Sequence, residues 1–364
     1  MRMDALEKMA EKAIFLLSLA LCLFLSPVAG IAGPYEREIA LGKKVASQVE
    51  ERWPVVSNPV EVARVRVVFE RLLPFVDRKL PYSVNLLDAD FPNAFCIPGG
   101  GIYVTSGMLD FVRSDGELAA ILAHELTHAD KNHVMIQADR SQKLSLATLA
   151  ILIASEGQAA AAMMAGVAQI AITNGYSRDL EREADLGAVD KIHRAGYPPA
   201  AALTVMEGLA AEQLKRPYVD PGVFMDHPRL PDRIDYITRF IEDSGWELSR
   251  KAALNLLVTE VRESDHRLEL TVDGLSVWSS SSENRVYLAE VASAISDSLE
   301  LETSPHDIQI VDTLEGRKSL IISGHIIASA PLPTGTSSLS ELRKGILKAL
   351  SAAKDKNPTA DYLS

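Results

Sequence analysis

His124-Glu125-Leu126-Thr127-His128 is the run that most constrains how this chain can fold. On an α-helix, at about 100° per residue, the two histidines fall about 40° apart on one face, close enough to share a metal ion. Ser114 and Glu117 form a capping box ahead of Leu118, Ile121 and Leu122, whose spacing of three and four residues marks a buried stripe. His124, Glu125 and His128 are therefore expected in the second half of a helix rooted in the core. That rigidity suits zinc, which takes neutral imidazoles at about 2.0 to 2.1 Å in near-tetrahedral geometry. Glu125 is the expected catalytic base, taking a proton from water activated by the metal and passing it to a leaving amine. An amphipathic helix with two solvated histidines has the same five letters, so a further ligand is needed.

Lys131 and Val134 stand where one zinc-binding plan requires Gly and a third His, which excludes that plan. His133 is expected on the opposite side of the helix from His124, in a structural or supporting role. The remaining plan takes a carboxylate from a later helix. Ser177-Arg178-Asp179-Leu180-Glu181-Arg182-Glu183-Ala184-Asp185 offers Glu181 and Asp185, which share a face. One of them can bind metal while the other orients a ligand histidine through its free ring nitrogen. A solvated charged helix is the plain alternative, since Asp179, Arg182 and Glu183 are residues any surface carries.

Asn93-Ala94-Phe95-Cys96-Ile97-Pro98-Gly99-Gly100-Gly101-Ile102-Tyr103-Val104-Thr105, then HELTH, then SRDLEREAD, occur in the order of a known family. The chain resembles the HExxH gluzincin-type zinc metallopeptidases that include the HtpX heat-shock protease, the CAAX prenyl proteases and the periplasmic β-barrel assembly-enhancing protease. The resemblance covers roughly residues 35 to 245. It implies one Zn2+ per chain on His124, His128 and Glu181, which leaves Asp185 as support for a ligand. It also implies unfolded or misassembled proteins as substrates.

The glycine run has a physical reading of its own. Pro98-Gly99-Gly100-Gly101 ahead of the β-rich Ile102 to Thr105 predicts a strand entered through a glycine turn near the HExxH helix. Asn93, Gly99, Gly100 and Gly101 are the candidate substrate-binding residues, because glycine lets an extended peptide lie close to a strand. A plain turn fits those letters too. Cys96 reads as a small buried side chain rather than a nucleophile. Further on, His227-Pro228 and Arg233 lead into a helix with an Ile234, Ile237 and Ile241 stripe that Gly245 stops. The resemblance makes His227 a plug ligand for the open metal position, and Arg233 an anchor for that loop or support for the oxyanion. A histidine beside proline is otherwise a solvated loop residue.

A formal net charge of -12 argues against nucleic acid as a partner. Residues 1–32 read as a signal peptide or N-terminal anchor, because Ala13 to Leu25 is uncharged, short for a membrane span and followed by small residues. The expected location is the periplasm. Residues 144–172 are apolar in two short halves, which read as Ala-rich core helices or as a peripheral membrane contact.

The expected fold class is α+β: a mostly helical zincin-type domain with a small sheet over residues 33–245, then a small α+β module over 250–354 and a frayed tail over 355–364. In the module, hairpins are expected at Asp273-Gly274 and Glu315-Gly316, with helices over 285–299 and 339–350. No tetratricopeptide period of about 34 residues is present there. The function these readings support is an exported zinc endopeptidase that cleaves misfolded or misassembled envelope proteins. The alternative is a largely latent protease acting as a chaperone or assembly factor for outer-membrane proteins.

Overall fold

The computed structural model describes residues 34–140, 176–215, 230–264, 267–313 and 316–357. The N-terminal apolar segment, residues 144–172, His227 and residues 358–364 lie outside the described residues. Along the chain run α1 (Pro34–Arg52), α2 (Pro59–Leu72), β1 (Ser83–Leu87), β2 (Ala94–Cys96), β3 (Gly101–Thr105), α3 (Ser106–Phe111), α4 (Asp115–Asp130), α5 (His133–Arg140), α6 (Arg178–Arg194), α7 (Ala200–Lys215) and α8 (Leu230–Asp243). One hydrophobic core joins these elements, from Leu41 to Ala253. The α+β class with helices dominating is the observed one, and no described helix is long and apolar enough to cross a membrane.

Helix α4 is the axis of this core. Every residue from Gly116 to Asp130 is buried, so the expected stripe is in fact a helix enclosed on all sides. Its start is half of the capping box read from the sequence: the Ser114 hydroxyl accepts the Glu117 N–H at 3.1 Å. The Glu117 carboxylate turns instead to the Arg113 N–H and guanidinium, at 2.7 and 2.6 Å. Its end is set by Asn132, whose left-handed φ of 61° reverses the chain before α5 begins at His133. Helix α6 crosses α4 closely because Gly187 carries no side chain. A Cβ there would stand 2.6 Å from Thr127 Cγ2.

The small sheet has the order β1-β3-β2, with β1 parallel and β2 antiparallel to β3. The glycine turn is where the sequence put it, with Gly99 at φ 83° and Gly100 at φ 94°. The backbone that approaches it belongs to this chain, however: Gly99 donates its N–H to Glu38 Oε1 at 3.1 Å, and a Cβ on Gly99 would meet Ile39 Cα at 2.9 Å. Because β3 is paired on both sides, no peptide can add along Gly101 to Thr105. The expectation of a substrate strand there is corrected, and the antiparallel edge strand of this sheet is β2.

A short helix, α9 (Arg250–Leu254), passes the chain to a second core that begins at Leu254 and ends at Ala353. This module repeats one plan twice: β4 (Thr259–Ser264), β5 (Arg267–Val272), β6 (Leu275–Ser281) and α10 (Arg285–Ser298), then β7 (Ile308–Asp312), β8 (Lys318–Ile322), β9 (His325–Ser329) and α11 (Leu339–Lys356). Each triplet is an antiparallel meander in sequence order. Asp273-Gly274 and Ser323-Gly324 turn the second hairpin of each triplet with both φ angles positive. Beyond the hairpins expected at Asp273-Gly274 and Glu315-Gly316, a further one turns at Ser323-Gly324 between β8 and β9, and the polar Thr259 to Ser264 forms β4. Within the expected tail, α11 runs to Lys356 and Asn357 is buried, accepting a 3.2 Å hydrogen bond from Arg113.

The close crossing of α4 and α6 yields a test. Adding a methyl at Gly187 improves helix propensity by about 1 kcal/mol, but overpacking costs about 1–3 kcal/mol. Gly187→Ala should therefore destabilise the protein in denaturant unfolding, and should become neutral or stabilising when Thr127→Ala makes room. An equal loss in both backgrounds would refute the packing account.

Candidate metal centre

One turn of α4 and the first turns of α6 bring three potential ligands to a point. His124 Nε2 and His128 Nε2 face each other at 3.0 Å. Glu181 reaches both, with Oε2 3.7 Å from His124 Nε2 and Oε1 3.6 Å from His128 Nε2. One ligand atom from each of the three buried residues lies within 4.8 Å of the others. Two nitrogens bound to a tetrahedral zinc at about 2.0 to 2.1 Å stand roughly 3.3 Å apart, so the cluster has the dimensions a zinc ion needs.

The outer ring nitrogens are engaged elsewhere. His124 Nδ1 lies 2.9 Å from Asp185 Oδ1. Asp185 is in turn clamped by Arg233, whose Nε and Nη2 donate to its two oxygens at 2.8 and 2.7 Å, and by the Tyr236 hydroxyl. His128 Nδ1 faces His133 Nδ1 at 2.9 Å, and His133 Nε2 is 3.4 Å from Glu183 Oε2. Tyr176 lies flat on the His128 ring, centroid to centroid 3.9 Å, with its hydroxyl 3.7 Å from Cys96 Sγ. Assigning tautomers from these partners puts the protons on Nδ1, leaving both Nε2 lone pairs aimed at each other beside a carboxylate. Such a set repels itself unless a cation sits within it. Two imidazoles and one carboxylate are a donor set that zinc uses in catalytic sites, with a fourth position left open.

Burial shapes the acids of this cluster differently. It pushes the Glu181 carboxyl up to about 7, with the His124 ring and Arg233 pulling the other way. Glu125 is raised well above the ordinary carboxylate value by complete burial and then by the Glu181 carboxylate, opposed by the Cys96 N–H. Burial would raise Asp185 too, but the Arg233 guanidinium and the His124 ring hold it well below the usual range. Burial also lowers His133, which keeps that ring neutral at pH 7. The Cys96 thiol is raised by burial, which fits a packed side chain rather than a nucleophile.

Most residues singled out in the sequence meet here. His124, Glu125, His128, Glu181, Asp185 and Arg233 are all buried within the cluster. Arg233 places Nε and Nη2 on Asp185 and so supports His124, while its Nη1 is buried with no hydrogen-bond partner among the described residues. His227 lies outside the described residues. Asn93 is buried beside β3, its backbone paired with Thr105 and its side-chain amide without a hydrogen-bond partner among the described residues. Gly99, Gly100 and Gly101 pack against Ile39, Tyr82 and Ile97 of the same chain. His133 is not opposite the site, as continuous helical arithmetic required, because the helix breaks at Asn132 and returns it to His128. Tyr176 and Tyr236 were missed. Tyr236 follows Arg233 by three residues, a spacing that shares a helix face and could have flagged it. Tyr176 precedes its helix and carries no periodic signal.

The Glu181 shift sets a pH dependence for the metal-free protein. A carboxyl that is easier to protonate when folded adds stability that is full below its unfolded value, near 4.5, and lost as pH rises through about 7. Metal-free Glu181→Gln should therefore gain on the parent in unfolding temperature as pH rises from about 5 to about 8. A constant difference across that range would contradict the burial argument.

A protein-family model, Peptidase family M48, matches residues 59–241. The putative beta-barrel assembly-enhancing protease of Vibrio cholerae is 28% identical over 216 residues, covering 57% of this chain and 44% of that relative. The beta-barrel assembly-enhancing protease of Escherichia coli strain K12 is 26% identical over 207 residues, 54% of this chain and 42% of its own. The mitochondrial metalloendopeptidase OMA1 of Arabidopsis thaliana is 30% identical over 130 residues, 36% of this chain and 26% of its own. The chain thus spans less than half the length of these relatives, and the family match ends before the second core begins at Leu254. The match takes in half of the chain and encloses the whole histidine and carboxylate cluster, and on that footing the chain belongs to peptidase family M48 and is a metalloprotease.

Proposed function

We propose that this metalloprotease is a zinc-dependent endopeptidase, with one Zn2+ per chain on His124, His128 and Glu181, acting on misfolded or misassembled proteins of the cell envelope. The observation that carries the reading is the buried convergence of those three side chains at 3.0 to 3.7 Å. Zinc, when bound, supplies a Lewis acid that polarises a scissile carbonyl and acidifies water.

The chain's own residues do the rest. Glu125 adjoins His124 on the rigid α4, and burial raises its proton affinity toward the range a general base needs near neutral pH. It takes the proton of the attacking water and hands it to the leaving amine. Asp185 and Arg233 fix the His124 ring so that its inner nitrogen stays available. The edge strand β2 packs against α4, so a peptide added beside β2 in extended form passes the base. Only substrates with locally unfolded backbone can lie that way, which favours misfolded or misassembled proteins.

The envelope as the place of action, and export to the periplasm, are supported by the apolar Ala13 to Leu25 segment and by the assembly-enhancing activity in the names of the bacterial relatives. Residues 144–172 are the proposed peripheral membrane contact, and the net charge of -12 keeps nucleic acid out of the partner set. Those names also favour a second reading, in which assembly of outer-membrane proteins is the main task and proteolysis is held latent.

Glu125→Gln separates these outcomes. The variant should bind zinc as the parent does but cleave unfolded casein about 10²–10⁴-fold more slowly, and a chelator should silence the parent until zinc is returned. Cleavage at the parental rate by Glu125→Gln would end the mechanism. Rescue of an assembly defect in a deletion strain by that inactive form would favour the second reading.

A further inference from the structure

His124 and His128 are backed by different chemistry. Behind His124 stands Asp185, a buried carboxylate locked by Arg233 and Tyr236. Behind His128 stands another imidazole, His133, fully buried, whose far nitrogen points at Glu183. We propose that His133 is the positioning residue for the metal ligand His128: its Nδ1 accepts the His128 Nδ1–H, and its own Nε2–H donates outward to Glu183.

Three observations support this. The 2.9 Å contact between the two Nδ1 atoms requires one of them to be an acceptor, and the Glu183 carboxylate, which only accepts when ionised, fixes the His133 proton on Nε2. His133 touches the outer nitrogen of His128, on the far side of the ring from Glu181, so it cannot itself be a ligand in this arrangement. The third is charge. The cluster already buries Glu125, Glu181 and Asp185 with Arg233 as the cation among them, and another buried carboxylate behind His128 would add a desolvated negative charge. A neutral imidazole does the orienting and passes the acceptor role to Glu183, whose side chain is 53% exposed and keeps its charge in solvent. The break at Asn132 is what makes the arrangement possible, because an unbroken helix would carry His133 away.

This inference rests on the proposed ligand set, and the test separates the two. Zinc affinity of the full chain is measured by competition with a chromophoric chelator for the parent, His128→Ala, His133→Asn, His133→Gln and His133→Leu. Unfolding of each metal-free protein is followed alongside, and the visible spectrum of each is recorded with Co2+ as the probe. Asn keeps an acceptor at the position of the lost Nδ1, whereas Gln and Leu do not. The proposal predicts that Leu and Gln lose about 10–100-fold in zinc affinity and shift the Co2+ bands, while Asn keeps both near the parent. Equal affinity in all three His133 variants, or an Asn variant that falls as far as Leu, overturns it. If Leu fails to fold, the comparison of Asn with Gln decides alone. If His128→Ala binds zinc like the parent, the ligand set itself has failed; if it loses zinc while the His133 variants do not, only this inference has.

Discussion

The structure depends on placing charge in the driest part of the molecule. Glu125, Glu181 and Asp185 sit with His124 and His128 between two helices whose apolar buried residues are Leu, Ala, Ile and Val. Unpaired, each buried carboxylate would cost several kcal/mol. The protein answers with the bidentate Arg233 on Asp185, with outward contacts at both histidine Nδ1 atoms, and with three donor residues whose ligand atoms converge within 4.8 Å of one another, as a cation requires. The geometry requires α4 and α6 to cross closely, and Gly187 against Thr127 is where that closeness is set. Fold and chemistry therefore share one contact: anything that parts the helices moves Glu181 and Asp185 off the two histidines together.

Much of this was legible in the chain before its structure. His124, Glu125 and His128 follow from helical spacing, since zinc needs donors whose separation regular backbone can fix, and Glu181 follows from the resemblance carried by the order of the motifs. Spacing paired Glu181 with Asp185 as ligand and support without saying which was which, and the resemblance made Asp185 the support. What escaped were contacts set by irregular backbone. Asn132 ends α4 in a left-handed turn and swings His133 onto His128, against the arithmetic of a continuous helix. The Gly99 to Gly101 turn looked like an open platform, but whose backbone fills it depends on α1, far earlier in sequence. The pairing of β3 on both sides is likewise a matter of sheet order, which no local pattern encodes.

The module after Leu254 is held to the first core by charged contacts of an uncommon kind. Arg250 of α9 is buried and forks onto Glu207 of α7, at 2.6 to 3.1 Å, while reaching Glu302 at 3.1 Å. Arg113, just before α4, meets Asn357 at the end of the last helix. Within the module, α10 packs on β4, β5 and β9, and α11 on β6, β7 and β8, so the two repeated units share one interior. Neither unit buries its own sheet alone. The repeat went unread because its hairpin signals, Asp273-Gly274 and Ser323-Gly324, differ in letters while adopting the same turn, and because β4 is too polar to show alternation. This module lies beyond the family match, so it is where this chain departs from what the family model describes.

X-ray absorption at the zinc edge of the purified, metal-loaded protein tests the central claim most directly. A first shell containing at least two imidazole nitrogens and a carboxylate oxygen, with one zinc per chain, is the predicted result. A shell with fewer than two imidazoles, or with a sulfur from Cys96, would contradict it.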